Sequence, residues 1–223
     1  MRRFLLLLLM WSAGLMSLIA KDDIKYPETY NFQRGLEALN NNNDSEALNY
    51  LKKEVDDNPQ NGYAYWLIAN IYANNANYGS ALTAIDMSLK FIPKKDKETR
   101  CRAFMTRATI YTGLEKTDEA LSNYSWAIKE NPQNTDAYDG RGQLYFEQEK
   151  YDLSNKDYEK IIDIDPGNAK AYVGLARNAN IEKQYDEAIK QLNYVIKLSP
   201  NYSEGYAFRA QSYIALKKYI AVR

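Results

Sequence analysis

The chain has 223 residues, of which 45% are apolar and 13% are aromatic, which is enough for a hydrophobic core and excludes a disordered protein. Its 29 basic and 29 acidic residues cancel, so the broad positive field that gathers nucleic acid is missing. Histidine is absent and cysteine occurs once, which excludes a Ser-His-Asp or Cys-His catalytic group and a zinc site of the Cys and His type. We therefore predict a non-enzymatic protein without cofactor, metal or nucleic-acid partner.

The N-terminus carries two arginines and then an apolar run from Phe4 to Ala20, followed by charged residues. This order is typical of an export signal, so we predict a signal peptide or an uncleaved membrane anchor over 1–20 and a short linker over 21–27. Both alternatives place the rest of the chain outside the cytoplasm, because the arginines hold the N-terminus inside. The predicted location is the periplasm, or the periplasmic side of a membrane, in a bacterial host.

Prolines mark a regular period in the rest of the chain. Pro59 and Pro93 lie 34 residues apart, and the same spacing separates Pro132, Pro166 and Pro200. Between Pro93 and Pro132 the spacing is 39, so one copy contains an insertion of five residues. This period is typical of an internal repeat. We predict five complete copies and a partial sixth, at 28–61, 62–95, 101–134, 135–168, 169–202 and 203–223.

Each copy contains two apolar runs at helical spacing, separated by a short polar hinge, which predicts two short antiparallel helices. The proline after the second run cannot continue a helix and so fixes the turn into the next copy. Small residues occupy the places where the two helices must approach each other. They are Gly142, Ala176 and Ala210 on first helices, and Ala120 and Ala188 on second helices.

This pattern resembles the tetratricopeptide repeat, which places aromatic residues, small residues and a proline at fixed spacing. The clearest copy here consists of Tyr138, Gly142, Tyr145, Tyr151, Ser154, Tyr158 and Pro166. The resemblance covers about residues 28–223. It implies an all-α fold, namely a right-handed superhelical solenoid of antiparallel helix pairs with about five and a half units. Stacked hairpins of this kind cover each other's apolar faces and leave a long surface with a concave side.

In tetratricopeptide arrays the concave groove is lined by the first helix of each repeat. Carrying that face over gives the candidate partner-binding residues Tyr63, Trp66, Asn70, Arg102, Met105, Asp136, Asp139, Gln143, Lys170, Arg177 and Asn180. We expect Tyr63 and Trp66 to form an apolar anchor. The charged residues of the set would orient an extended or helical peptide. Aromatic and arginine side chains are the usual energetic centres of protein interfaces, which supports both roles.

The leading hypothesis is a non-catalytic interaction scaffold outside the cytoplasm that binds a protein or peptide partner in this groove. The alternative is the N-terminal targeting arm of a larger exported enzyme or sensor. The partial copy at 203–223 lacks a second helix, so we expect that a partner or a second copy covers its exposed face, or that the chain is a truncated version of a longer one. Membrane contact is expected only through an uncleaved N-terminal segment.

Three local features have structural interpretations. Cys101 is predicted to be a small apolar side chain near a helix start, with a reactive thiol as the alternative. The asparagines at 40–43 are predicted to supply turn and capping groups between the two helices of the first copy. The insertion at 94–99 is predicted to lengthen either the turn between two copies or the helix that follows it.

Overall fold

The computed structural model describes residues 26–222, with side chains to residue 217. The predicted signal or anchor at 1–20, and residues 21–25 of the linker predicted at 21–27, lie outside the described residues. Within them the chain forms eleven α-helices and no strand, so the predicted all-α class is confirmed. None of these helices is long and apolar enough to cross a membrane.

The helices are α1 Tyr30–Asn40, α2 Asp44–Asp57, α3 Gly62–Asn74, α4 Tyr78–Phe91, α5 Lys97–Gly113, α6 Thr117–Glu130, α7 Thr135–Glu147, α8 Tyr151–Ile164, α9 Ala169–Ile181, α10 Tyr185–Leu198 and α11 Ser203–Val222. Odd-numbered helices are the first helices of the predicted copies, and even-numbered helices are the second. The chain divides into two compact units, one ending at Lys116 and one beginning at Thr117. Within each unit, consecutive helices pack on one another, most extensively α3 on α4 and α7 on α8.

Asparagine and aspartate side chains begin most of the described helices. Asn61, for example, accepts a hydrogen bond from the backbone N–H of Ala64 at 3.1 Å, which satisfies one of the free donors at the helix start. The residues that cap a helix in this way are Asn43, Asn61, Asn77, Asp96, Asn134 and Asn168. The predicted capping role of the first asparagine cluster is thus confirmed at Asn43.

Every first helix from α1 to α9 ends with a residue in the left-handed conformation. These residues are Asn42, Ala76, Glu115, Glu149 and Lys183, with φ between 55° and 64°, and each lies 17 positions before a proline of the repeat. The next N–H then bonds back to the helix, as from Asn77 to the Tyr72 carbonyl at 2.8 Å. This is a Schellman end, and its recurrence gives each hinge the same turn.

Small residues recur at two buried positions of the repeat, as the repeat pattern predicts. On first helices these residues are Gly35, Ala69, Ala108, Gly142 and Ala176, all of them buried. On second helices they are Ala47, Ala81, Ala120, Ser154 and Ala188, all 0% exposed. Close packing of this kind leaves no room for a larger side chain without strain.

Two further predictions about local features are confirmed. Cys101 is 0% exposed. The insertion lengthens the helix that follows it, because α5 has 17 residues whereas α3, α7 and α9 have 13 each.

The segment before α1 is held against the first unit. The ring of Tyr26 lies 5.8 Å from that of Phe32 and 5.7 Å from that of Tyr63. Thr29 Oγ1 donates to the carboxylate of Glu54 at 2.8 Å, and Glu54 is only 1% exposed. The chain therefore enters α1 along a fixed path.

Candidate protein-interaction surface

The expected aromatic anchor of the first unit is wrong, because Trp66 is part of the core. Trp66 is 3% exposed, and its indole N–H donates to Thr106 Oγ1 at 3.1 Å. Asn70, also a predicted groove residue, is 2% exposed and donates from Nδ2 to the Trp66 carbonyl at 2.9 Å. Thr106 Oγ1 lies 3.0 Å from Asn70 Oδ1 and closes the network. Neither Trp66 nor Asn70 is available to a ligand.

The other three candidates of the first unit are also engaged in contacts within the protein. Tyr63 donates its hydroxyl to Asp96 at 2.8 Å, and burial together with this carboxylate raises the pKa of the Tyr63 hydroxyl above its usual range. Arg102, whose side chain is 10% exposed, donates to Glu98 at 2.9 Å. Met105 is half-buried, with its sulfur 4.0 Å from that of Cys101. The first unit therefore offers a poor binding surface at the predicted positions.

In the second unit the predicted residues do come together. Asp139 Oδ2 accepts hydrogen bonds from Lys170 Nζ at 2.6 Å and from Gln143 Nε2 at 2.7 Å. The Asp139 side chain is 14% exposed, whereas that of Lys170 is 44% exposed. Three of the predicted residues, from α7 and α9, thus form one hydrogen-bonded group that solvent reaches from the lysine side.

Asp136 lies beside this group without joining it. It is exposed and makes no hydrogen bond or ion pair with a described residue. Partial desolvation raises the pKa of the Asp136 carboxyl above its ordinary value, the charge of Asp139 raises it further, and Lys170 lowers it. The Asp136 carboxylate can therefore still accept a hydrogen bond or form an ion pair.

Arg177 is the other residue on this face whose charge is not paired. Its guanidinium carbon lies 3.8 Å from the centre of the Phe146 ring, and Nη2 donates to the Tyr158 hydroxyl at 3.1 Å. Nε is buried and has no hydrogen-bond acceptor among the described residues. No described carboxylate pairs with Arg177, so its positive charge is oriented by an aromatic ring and left uncompensated.

Asn180 is oriented by packing between helices. Its Nδ2 donates to Ser212 Oγ at 2.8 Å, which ties α9 to α11, and its Oδ1 is buried without a hydrogen-bond donor. We refer to Asp136, Asp139, Gln143, Lys170 and Arg177 as the second-unit face. Asn180 borders this face and is a packing residue.

Phe146 is not among the predicted residues, although the period contains a signal for its contact with Arg177. First-helix side chains meet residues 31 positions further on, as Asp139 meets Lys170 and Phe146 meets Arg177. Across the insertion of five the same contact spans 36 positions, from Asn70 to Thr106. The offset of 31 is three residues, about one helical turn, shorter than the period of 34. The repeat length therefore predicts which first-helix side chains touch.

The described residues provide no metal site at these positions. No group of three or more His, Cys, Asp or Glu residues in this part of the chain is arranged to hold a metal ion. An open cleft of about 590 Å³ lies in the first unit beside Pro27, Tyr63 and Phe91. Glu54, one of its lining residues, already accepts from Thr29, Asn58 and Asn61, so its oxygens are satisfied.

Comparison with known families agrees with the helix pairs. A tetratricopeptide repeat family model matches residues 32–95 and 105–169, and a second tetratricopeptide repeat model matches 145–211. The chain belongs to the tetratricopeptide repeat family. The TPR repeat-containing protein MJ0263 of Methanocaldococcus jannaschii is 33% identical to it over 93 residues, which are 42% of this chain and 29% of that relative.

Solved tetratricopeptide repeat structures share the fold. The C-terminal part of a TPR repeat-containing protein from Cytophaga hutchinsonii superposes with a TM-score of 0.75 at 22% identity, over 84% of this chain and 72% of that one. YrrB, described as a TPR protein with an unusual peptide-binding site, gives a TM-score of 0.64 at 17% identity, over 88% of this chain and 96% of that one. At these identities the likeness shows the fold alone. The tetratricopeptide repeat fold is that of a protein-interaction scaffold.

Proposed function

We propose that this chain is a non-catalytic interaction scaffold that binds a peptide segment of a partner protein across the second-unit face. The observation that carries the proposal is the pair of unpaired charges on that face, Asp136 and Arg177. Between them lies the group formed by Asp139, Gln143 and Lys170. In tetratricopeptide arrays first helices line the concave groove, and the peptide-binding site of YrrB supports a ligand of this class.

The charges define the peptide that would bind. A lysine or arginine of the peptide would pair with Asp136, and an acidic residue would reach Arg177, since complementary charges fix the register and orientation of a ligand. The peptide backbone would bond to Gln143 and Lys170, which present polar groups at the surface. The ligand is thus a segment with a basic and an acidic residue, in a fixed order along the helices.

The same face gives little support for catalysis. Its carboxylates lie on an open surface, and acid and base chemistry needs a group held in a dry cleft at a matched pKa. Asp139 is paired with Lys170, and Asp136 is exposed. We therefore propose binding without chemistry as the role of these residues.

We also propose that the protein works outside the cytoplasm, in the periplasm or at the membrane surface. Support comes from the two arginines and the apolar run from Phe4 to Ala20. A reporter enzyme that is active only after export, fused behind residue 223, tests this location. Reporter activity that survives replacement of the apolar run by a polar sequence would contradict it.

The peptide is found by selecting a random peptide library on the full chain and measuring the affinity of the selected sequences. We expect selected peptides to contain a basic and an acidic residue at a fixed separation. Asp136→Asn and Lys170→Gln, alone and together, should weaken binding by about tenfold or more. Matched controls are Glu159→Gln and Lys156→Gln, which make the same charge changes at exposed positions of α8. Equal losses in both sets of variants, or none in either, would refute the second-unit face as the binding site.

A further inference from the structure

The insertion in the third copy differs from the other turns of the repeat in charge as well as in length. Each other proline of the repeat is followed by only two residues before the next helix begins, and none of these residues is charged; they are 60–61, 133–134, 167–168 and 201–202. After Pro93 come two lysines and an aspartate, and the helix then begins with a third lysine. Residues 90–100 contain five basic and two acidic residues, and therefore have a net charge of +3 in a chain whose total charge is zero.

The lysines of this segment are open to solvent. We refer to Lys90, Lys94, Lys95 and Lys97 as the lysine patch, and all four residues are exposed. None of them forms an ion pair or hydrogen bond with a described residue. Lys90 belongs to the last turn of α4, where its Nζ lies 5.0 Å from the centre of the Phe91 ring. The patch thus presents ammonium groups that are free to meet an anion.

The two acidic residues of the same segment bond to groups within the protein. Asp96 accepts hydrogen bonds from the Tyr63 hydroxyl at 2.8 Å and from the backbone N–H of Thr99 at 3.0 Å. Glu98 accepts from Arg102 Nε at 2.9 Å. These bonds hold both carboxylates against the protein, whereas the lysines extend into water. The outer surface of the segment is therefore positive.

The start of the described chain lies beside the lysine patch. The ring of Tyr26 lies 5.7 Å from that of Tyr63, whose hydroxyl bonds to Asp96 in the middle of the patch. Only residues 21–25 separate Tyr26 from the apolar run of the N-terminus, and this linker extends at most about 20 Å. The linker has two lysines and two aspartates and is neutral. A membrane that holds the apolar run is therefore within reach of the patch.

We propose that the lysine patch binds anionic lipid headgroups of the membrane that holds the N-terminal apolar run, and so keeps the first unit at the membrane surface. Each lysine near an anionic surface strengthens binding by about fivefold, and the attraction acts over about 8 Å at physiological salt. A lipid surface is favoured over an acidic protein because the chain enters the first unit beside the patch. The inference rests on the membrane-surface form of the proposed location, since both use the apolar run as an anchor.

Vesicle sedimentation of the full chain tests the patch directly. Residues 4–20 are replaced by a polar sequence of the same length, so that insertion of the apolar run does not hide the contribution of the lysines. The vesicles are phosphatidylcholine, with and without about one third phosphatidylglycerol. We expect partitioning into the anionic vesicles to be at least about tenfold stronger and to fall as the salt concentration rises.

Replacing the whole patch by glutamine should lower the partition coefficient for the anionic vesicles by at least about tenfold. A matched control makes the same four charge changes at exposed lysines of the second unit and should lower it by less than about threefold. The control positions are Lys150, Lys156, Lys183 and Lys197. Circular dichroism checks that both variants keep their helical content.

The native chain with its apolar run, reconstituted in nanodiscs, gives a second measurement. Amine acetylation followed by mass spectrometry should show Lys94 and Lys95 reacting at least about threefold more slowly in anionic nanodiscs than in zwitterionic ones, whereas Lys156 reacts equally in both. The export reporter described above tests the location separately. Vesicle binding through the patch in a chain that is not exported would refute the location and leave the patch in place.

Three results would overturn the proposal. The first is equal binding to the two kinds of vesicle. The second is an equal loss of binding in the patch variant and the control variant, which would show an attraction that is not specific to the patch. The third is binding of soluble polyglutamate that the patch variant loses, without binding to either vesicle, which would assign the patch to an acidic protein segment.

Discussion

Arg177 stacks on Phe146, with the guanidinium carbon 3.8 Å from the centre of the ring. The arginine belongs to α9 and the phenylalanine to α7, so the contact joins two successive first helices. No described carboxylate forms an ion pair with this cation, and the ring and the Tyr158 hydroxyl orient it. The positive charge is thereby held in position for an acidic ligand group.

The stacked pair should be measurably coupled. We expect Arg177→Ala, Phe146→Ala and the double variant to show a coupling free energy of about 1 kcal/mol in chemical unfolding, a typical value for a partly buried cation–π contact. This double-mutant cycle separates the free energy of the Arg177–Phe146 contact from the other effects of removing each side chain. Additive effects of the two substitutions would show that the stacking does not orient Arg177.

Asp136 should titrate above the ordinary range of aspartate. Because its pKa is raised in the folded state, the folded protein binds the Asp136 proton more tightly than the unfolded chain does. Asp136 therefore adds stability below the unfolded pKa, and this stability is lost as pH rises through the folded pKa.

Carboxyl-carbon NMR measures the Asp136 pKa directly. We expect Asp139→Asn to lower it and Lys170→Gln to raise it, in line with the charges that act on it. The Asp136→Asn variant should lack the loss of stability with rising pH. A pKa at or below about 3.9, the ordinary value, would contradict the upward shift that we attribute to partial desolvation and the charge of Asp139.

Trp66→Ala should destabilise the first unit strongly. Removing a buried tryptophan leaves a cavity and typically costs about 3 to 5 kcal/mol of unfolding free energy. Tryptophan fluorescence and chemical unfolding provide the measurement, and Trp126→Ala, at a site that is 46% exposed, is the control. A cost below about 1 kcal/mol for Trp66→Ala would mean that the side chain is accessible after all.

The left-handed hinge residues give a test of the repeated turn. Ala76 has φ near 55°, which costs a residue with a side chain about 1 kcal/mol, so Ala76→Gly should raise the free energy of unfolding by about 0.5 to 1 kcal/mol. Ala73→Gly makes the same substitution at a buried helical position and should lower it by a similar amount or more. Thermal unfolding of the two variants should thus shift in opposite directions.

Most of the fold was predictable from the period of the prolines and small residues. The spacing of 34, its single interruption and the small residues at the crossings all describe hairpins, and the helices confirm them. Both signals have a physical basis. Only a small residue lets two helices cross closely, and proline is disfavoured in the interior of a helix. The boundaries of the individual copies stay a prediction.

The site was less predictable because α3 is apolar around most of its circumference. A helix of this kind is buried on several sides, so its sequence does not show which face meets solvent. The predicted groove therefore includes Trp66 and Asn70, although both lie in the core. In α7 and α9 the polar residues are placed on one side, and there Asp139, Gln143 and Lys170 form one hydrogen-bonded group. Their role in binding stays a prediction.

The central claim is that Asp136 receives a basic residue of a peptide ligand. Calorimetric titration of the Asp136→Lys variant with a selected peptide, and with a version of it whose basic residue is changed to aspartate, tests this contact directly. We predict that the original peptide loses about tenfold or more in affinity for the variant and that the changed peptide recovers most of the loss. If the charge-reversed pair binds no better than the mismatched pairs, the second-unit face is not the peptide site.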